Sequence, residues 1–75
     1  MERIRIMLKN IDDIDEFYNV SSKLECDVDV GRGFDIYDAK SRLGLLALHL
    51  DEALYVYIHS DDKDLLKLFS KWELT

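Results

Sequence analysis

"ECDVDVGRGFDIYD" (25–38) decides the fold, because it forces the chain to turn back on itself inside an alternating pattern. Cys26, Val28 and Val30 point one way and Asp27 and Asp29 the other, the period of two that marks a half-buried strand. Phe34 and Ile36 are expected to resume the apolar face in a second strand. Gly31-Arg32-Gly33 between them reads as the turn, since glycines supply the positive φ that tight hairpins require.

On the N-terminal side, "NIDDIDEFYNVSSKL" (10–24) has a different period. Ile14, Phe17, Tyr18 and Ser21 fall at i, i+3, i+4 and i+7, one stripe of an amphipathic helix. Asn10 is its expected N-cap, and Asp12, Asp13, Asp15 and Glu16 suit the positive end of the macrodipole. Before it, "ERIRIML" (2–8) alternates again, with Ile4, Ile6 and Leu8 inward and Arg3 and Arg5 outward.

On the C-terminal side, "DAKSRLGLLAL" (38–48) is a short helix capped by Ser41, with Leu45, Ala47 and Leu48 expected inward and Leu43 or Leu46 outside. Gly44 would let this helix approach a neighbouring backbone closely. "ALYVYIHS" (53–60) is a fourth strand, with Leu54, Val56 and Ile58 inward and Tyr55, Tyr57 and His59 outward. A last helix, 60–72, starts at Ser60 or Asp61 and carries the stripe Leu65, Leu68, Phe69 and Trp72. The order β-α-β-β-α-β-α implies an α+β protein. Its four-stranded sheet has one face covered by helices and the other in water.

Composition narrows the function. Seventy-five residues with no composition shift fit a single domain, 1–75, near the size at which nearly every apolar side chain must contribute. Ten basic against 16 acidic residues give −6, which argues against a nucleic-acid partner, whose affinity comes mostly from Lys and Arg on phosphates. No apolar run approaches a membrane span, so no membrane is expected. The lone Cys26 fits a reducing, cytoplasmic setting and an inert thiol in the core. No P-loop, nucleophile elbow, dinucleotide turn or metal-ligand spacing is present, so no catalytic activity, metal or cofactor is expected.

The segment from Asp38 to Leu48, a Lys-Ser pair followed by an apolar residue, a glycine and further apolar residues, resembles the second-helix segment of HPr. HPr is the phosphocarrier of the bacterial sugar phosphotransferase system. The element order resembles the HPr open-faced β-sandwich as well. The resemblance implies that Ser41 matches the serine phosphorylated by a dedicated kinase in many HPr proteins. It also implies that Leu43 and Leu46 match residues through which HPr docks its partners. Lys40 and Arg42 flank the serine and would pair with a phosphate there, although the residue after the serine is commonly apolar in HPr.

One departure changes the expected function. HPr carries its phosphoryl group on a histidine at the start of the first helix, with an arginine close behind. Here that place reads "NIDDIDEF", with neither residue and with four acids that repel an incoming anion. The expected protein is therefore a regulatory or interaction module of phosphotransferase type that binds a protein partner through the second helix. Two alternatives stand beside it: a phosphocarrier with a non-standard acceptor, His59, and a small structural or self-associating domain. In either case Tyr55 and Tyr57, on the wet sheet face, offer anchors for a homodimer. His49 and His59 otherwise read as solvated or edge residues.

Overall fold

The computed structural model describes residues 2–74. Strand β1 (Glu2–Met7) leads into helix α1 (Ile11–Ser22), and the hairpin is β2 (Val28–Arg32) and β3 (Asp35–Asp38). Then come α2 (Arg42–Leu45), β4 (Ala53–Ile58) and α3 (Lys63–Trp72), the last wound as a 3-10 helix. The strands lie in the order β1-β4-β2-β3, and every neighbouring pair is antiparallel. This is the open-faced α+β sandwich that the element order implied.

The core follows the alternation. Ile4 and Ile6 of β1, Val28 and Val30 of β2, and Leu54, Val56 and Ile58 of β4 are buried on one face, under Ile14 and Phe17 of α1 and Phe69 and Trp72 of α3. Both sheet edges are managed. Leu74 donates its backbone N–H to the Arg5 carbonyl at 2.8 Å and Glu73 bridges to Ile6, so the chain end covers β1. At the other edge β3 is only four residues long, too short to template much pairing.

Four expectations fail here, each for a geometric reason. Gly31-Arg32-Gly33 is not the turn: Arg32 pairs with Asp35, and Gly33-Phe34 forms a two-residue loop with φ +59° at Gly33. A three-residue turn at 31–33 would have set Val30 opposite Phe34, whereas Val30 is opposite Tyr37. The shift of three residues is odd, so it exchanges the faces of β3. Phe34 is consequently fully exposed and Ile36 is 40% exposed on the open face, while Tyr37 packs against the core and Ala39 is buried.

The second failure is in α3. Its cap is Asp62, whose carboxylate accepts from the Asp64 N–H at 3.0 Å, in place of Ser60 or Asp61. With three residues per turn, Leu66, Phe69 and Trp72 share one side, and Leu68 turns out to 48% exposure. The third is Ala47, which is exposed, while Leu45 and Leu48 are buried as expected. Gly44 is also not forced by a close approach, because an added Cβ would sit at ordinary contact distance, 3.4 Å from Ser41 Oγ.

Ser21 on the α1 stripe is fully buried, and its Oγ has no hydrogen-bond partner. A buried hydroxyl without a partner costs free energy, and alanine is the better helix former. Ser21→Ala should therefore raise stability by about 1 kcal/mol. Urea unfolding of the two proteins checks this, and a loss of stability would mean that the hydroxyl is bonded after all.

Candidate functional site

The turn from β3 into α2 is built from local hydrogen bonds. Asp38 Oδ1 accepts from the Lys40 N–H at 2.9 Å, and the Asp38 carbonyl accepts from the Ser41 N–H at 3.0 Å. Buried Ala39 donates to the Val28 carbonyl at 2.8 Å, which ties the turn to the sheet. Ser41 then caps the helix as its residue type suggests, its Oγ accepting from the Gly44 N–H at 3.2 Å.

With Leu45 and Leu48 pinned in the core, the other side of this single turn has to face out. Leu43 is 83% exposed and Leu46 52% exposed, and Ala47 continues the same outward stripe at i+4. The i, i+3, i+4 spacing of Leu43, Leu46 and Ala47 is the sequence signal that places Ala47 on the outward stripe and not in the core. Exposed Ile11 lies one turn before Asp15 on α1, on the side of α1 that pairs with α2.

The flanking cations are engaged with α1 and the residues just after it. Arg42 pairs with Asp15 at 2.5 Å, and Lys40 Nζ donates to the Leu24 carbonyl at 2.5 Å. Their charges therefore frame the apolar patch while holding α2 against the first helix.

The start of α1 is closed by its own side chains. Asn10 Oδ1 accepts from the Asp13 N–H at 2.9 Å, which takes one of the first-turn amides, and Asp13 Oδ2 accepts from the Lys9 N–H at 2.9 Å just ahead of the helix. Of the other acids there, Asp15 goes to Arg42 and Glu16 to Lys71. Residues 8–22 contain neither histidine nor arginine.

The two histidines sit elsewhere. His59 follows β4, and its Nε2 lies 2.7 Å from Asp29 Oδ2 on the open sheet face. His49 lines a hollow of about 170 Å³ together with Asp35 and Glu52, where Arg32 is already paired with Glu52 at 2.9 Å. Cys26 is a free thiol packed against the core. Among the described residues no cluster of His, Cys, Asp and Glu has the geometry to hold a metal ion, and no helix is long and apolar enough to cross a membrane.

Four antiparallel strands in this order, with the helices on one face, define an HPr-like open-faced sandwich. The structure is similar to HPr-C-His from Thermoanaerobacter tengcongensis, with a TM-score of 0.79 over 95% of this chain and 89% of that one. At 18% identity the likeness is one of fold. The chain matches no protein-family model and no curated protein sequence.

Proposed function

We propose that this protein is an HPr-fold interaction module that binds a protein partner through α2 and does not carry phosphate on the first helix. Leu43 and Leu46 are its contact residues, Lys40 and Arg42 its rim, and Ser41 the point at which phosphorylation controls it. The observation that carries this reading is the division of the α2 leucines: two are buried as anchors, and two stand in water beside the capping serine. Exposed leucines on a rigidly anchored turn offer a partner apolar area at little entropic cost.

A phosphate on Ser41 would add about −1.5 to −2 charge beside two cations. It would compete with Asp15 and the Leu24 carbonyl for Arg42 and Lys40, so modification would alter the seam between α2 and α1 as well as the patch. The absence of the carrier residues and the self-capped α1 support the loss of the carrier role. The alternative acceptor, His59, has one point in its favour, since Asp29 fixes its ring and one tautomer. The carboxylates of Asp29 and Asp38 on the same face oppose an anion there.

Thermal stability and binding to the HPr serine kinase, compared for wild type, Ser41→Asp and the Leu43→Ser/Leu46→Ser pair, test the reading. The leucine pair should change stability by less than about 1 kcal/mol, because both side chains already face water. Binding should fall at least about tenfold. A stability loss of several kcal/mol, or unchanged binding, would remove the patch from function.

A further inference from the structure

We propose that the open sheet face binds a second copy of this chain, about a two-fold axis that runs parallel to the strands between β4 and β2. The register lays the side chains of this face out in rows across the sheet. One row is Arg3, Tyr57, Asp29 and Asp38; the next is Arg5, Tyr55, Gly31 and Ile36; Met7 and Ala53 begin a third, which ends at the hairpin tip near Phe34. The face is therefore cationic along β1, aromatic along β4, and acidic and apolar along β2 and β3.

A two-fold rotation about that axis exchanges β1 with β3 and β4 with β2, and keeps each row opposite itself. It brings Arg3 over Asp38 of the second copy, Arg5 over Ile36, Tyr57 over Asp29, Tyr55 over Gly31, and Met7 toward Phe34. Arg3 meets the opposite charge of Asp38, Met7 meets Phe34, the Tyr57 hydroxyl can donate to the Asp29 carboxylate, and no pair sets like charges together, the self-complementarity that an isologous interface requires.

Shape agrees with charge. Tyr55 and Tyr57 stand side by side on β4 with ring centroids 6.3 Å apart, a ridge along the sheet. Next to it is an open hollow of about 330 Å³, lined by Asp29 of β2, Gly33 of the hairpin loop, Ile36 of β3, and Tyr57 and His59. Exchanging β4 with β2 sets the ridge of each copy into the hollow of the other.

Two features of the isolated chain are relieved by this pairing. Asp29 and Asp38 are direct cross-strand partners on the exposed face, an arrangement that like charge makes unfavourable and that among the described residues meets only the His59 ring at Asp29 and the Lys40 N–H at Asp38. Arg3, which lies over the Tyr55 ring at 4.7 Å, and Arg5 have no ion-pair partner among the described residues. The β1 edge is already covered by Glu73 and Leu74, which leaves the face as the place to associate. Four strands span roughly 19 Å by 17 Å, a small interface, so the dimer is reversible with a Kd of roughly 10–100 μM.

Sedimentation velocity of the full chain from about 10 μM to about 1 mM covers that range. The expected result is a monomer–dimer equilibrium that Arg3→Asp weakens at least about tenfold, because the new carboxylate faces Asp38 of the second copy. Arg3→Asp combined with Asp38→Arg should restore the Kd to within about threefold. Ile36→Lys, on an edge strand and distant from the Arg3–Tyr55 contact, should also weaken the dimer, because it sets a cation over Arg5 of the second copy, and thermal melts show whether each variant is folded. A monomer at the highest concentration, or a dimer indifferent to Arg3→Asp and Ile36→Lys, overturns the proposal. So does a monomer whose Tyr55 and Tyr57 fluorescence responds to a single-stranded oligonucleotide, which would assign the face to nucleic acid.

Discussion

Phe17→Ala should destabilise the protein by about 3–5 kcal/mol, which in a domain of this size lowers the melting temperature by roughly 15–30 °C. Phe17 is fully buried on α1, with its ring centroid 5.3 Å from Phe69 and 5.7 Å from Trp72, the latter edge-on. Because Phe69 and Trp72 belong to α3, this aromatic group joins the two long helices above the sheet. Truncation removes ring contacts on both sides and leaves a cavity whose lining is fixed by the sheet, so little of the loss is recovered by collapse. Native stabilities are typically about 5–15 kcal/mol, so the variant would lose a large fraction of the total. Leu68→Ala, on α3 but turned outward, is the control and should cost less than about 1 kcal/mol. Equal effects of the two substitutions would mean that α3 is packed on a different side.

Gly31→Ala should be the most damaging change in the hairpin, with a cost of about 3 kcal/mol or more. A Cβ there would lie 1.9 Å from the Asp35 carbonyl oxygen, a backbone atom that cannot move without opening the β2–β3 ladder. Gly33→Ala should cost only about 1–2 kcal/mol, the penalty for a left-handed backbone, because nothing lies within 4 Å of an added Cβ. Urea unfolding of both variants ranks them. A larger loss at Gly33 would show that the strand register is not the one described.

This contrast also explains why β3 presents the opposite face from the one its sequence suggests. Two glycines bracketing an arginine carry no local mark of which one turns the chain and which one sits inside a strand against its neighbour. Placing the turn at 31–33 sent Phe34 and Ile36 to the core, and only the pairing of Val30 with Tyr37 shows otherwise. In β1, α1 and β4 the period is unbroken over at least six residues, and Ile4, Ile6, Ile14, Phe17, Leu54, Val56 and Ile58 are buried as the pattern implied. The pitch of α3 was not legible, because periods of 3.0 and 3.6 diverge by less than one residue over a single turn yet disagree on Leu68. At the candidate site, the capping role of Ser41 and an outward Leu43 or Leu46 followed from residue type and spacing, and the structure turns both leucines out. The pairing of Arg42 with Asp15, of Lys40 with the Leu24 carbonyl and of His59 with Asp29 did not, since each joins residues at least 16 positions apart.

Phosphotransfer from phosphoenolpyruvate through enzyme I tests the central proposal most directly, because it asks whether an HPr fold without the helix-1 histidine still carries phosphate. Phosphohistidine is acid-labile and phosphoserine is not, so acid treatment of the labelled protein distinguishes the acceptors. The expected result is no acid-labile phosphate, since residues 8–22 lack histidine and arginine and the start of α1 carries Asp12, Asp13, Asp15 and Glu16. Stoichiometric acid-labile phosphate that disappears in His59→Ala would contradict this, and would make the protein a phosphocarrier with its acceptor at the end of β4.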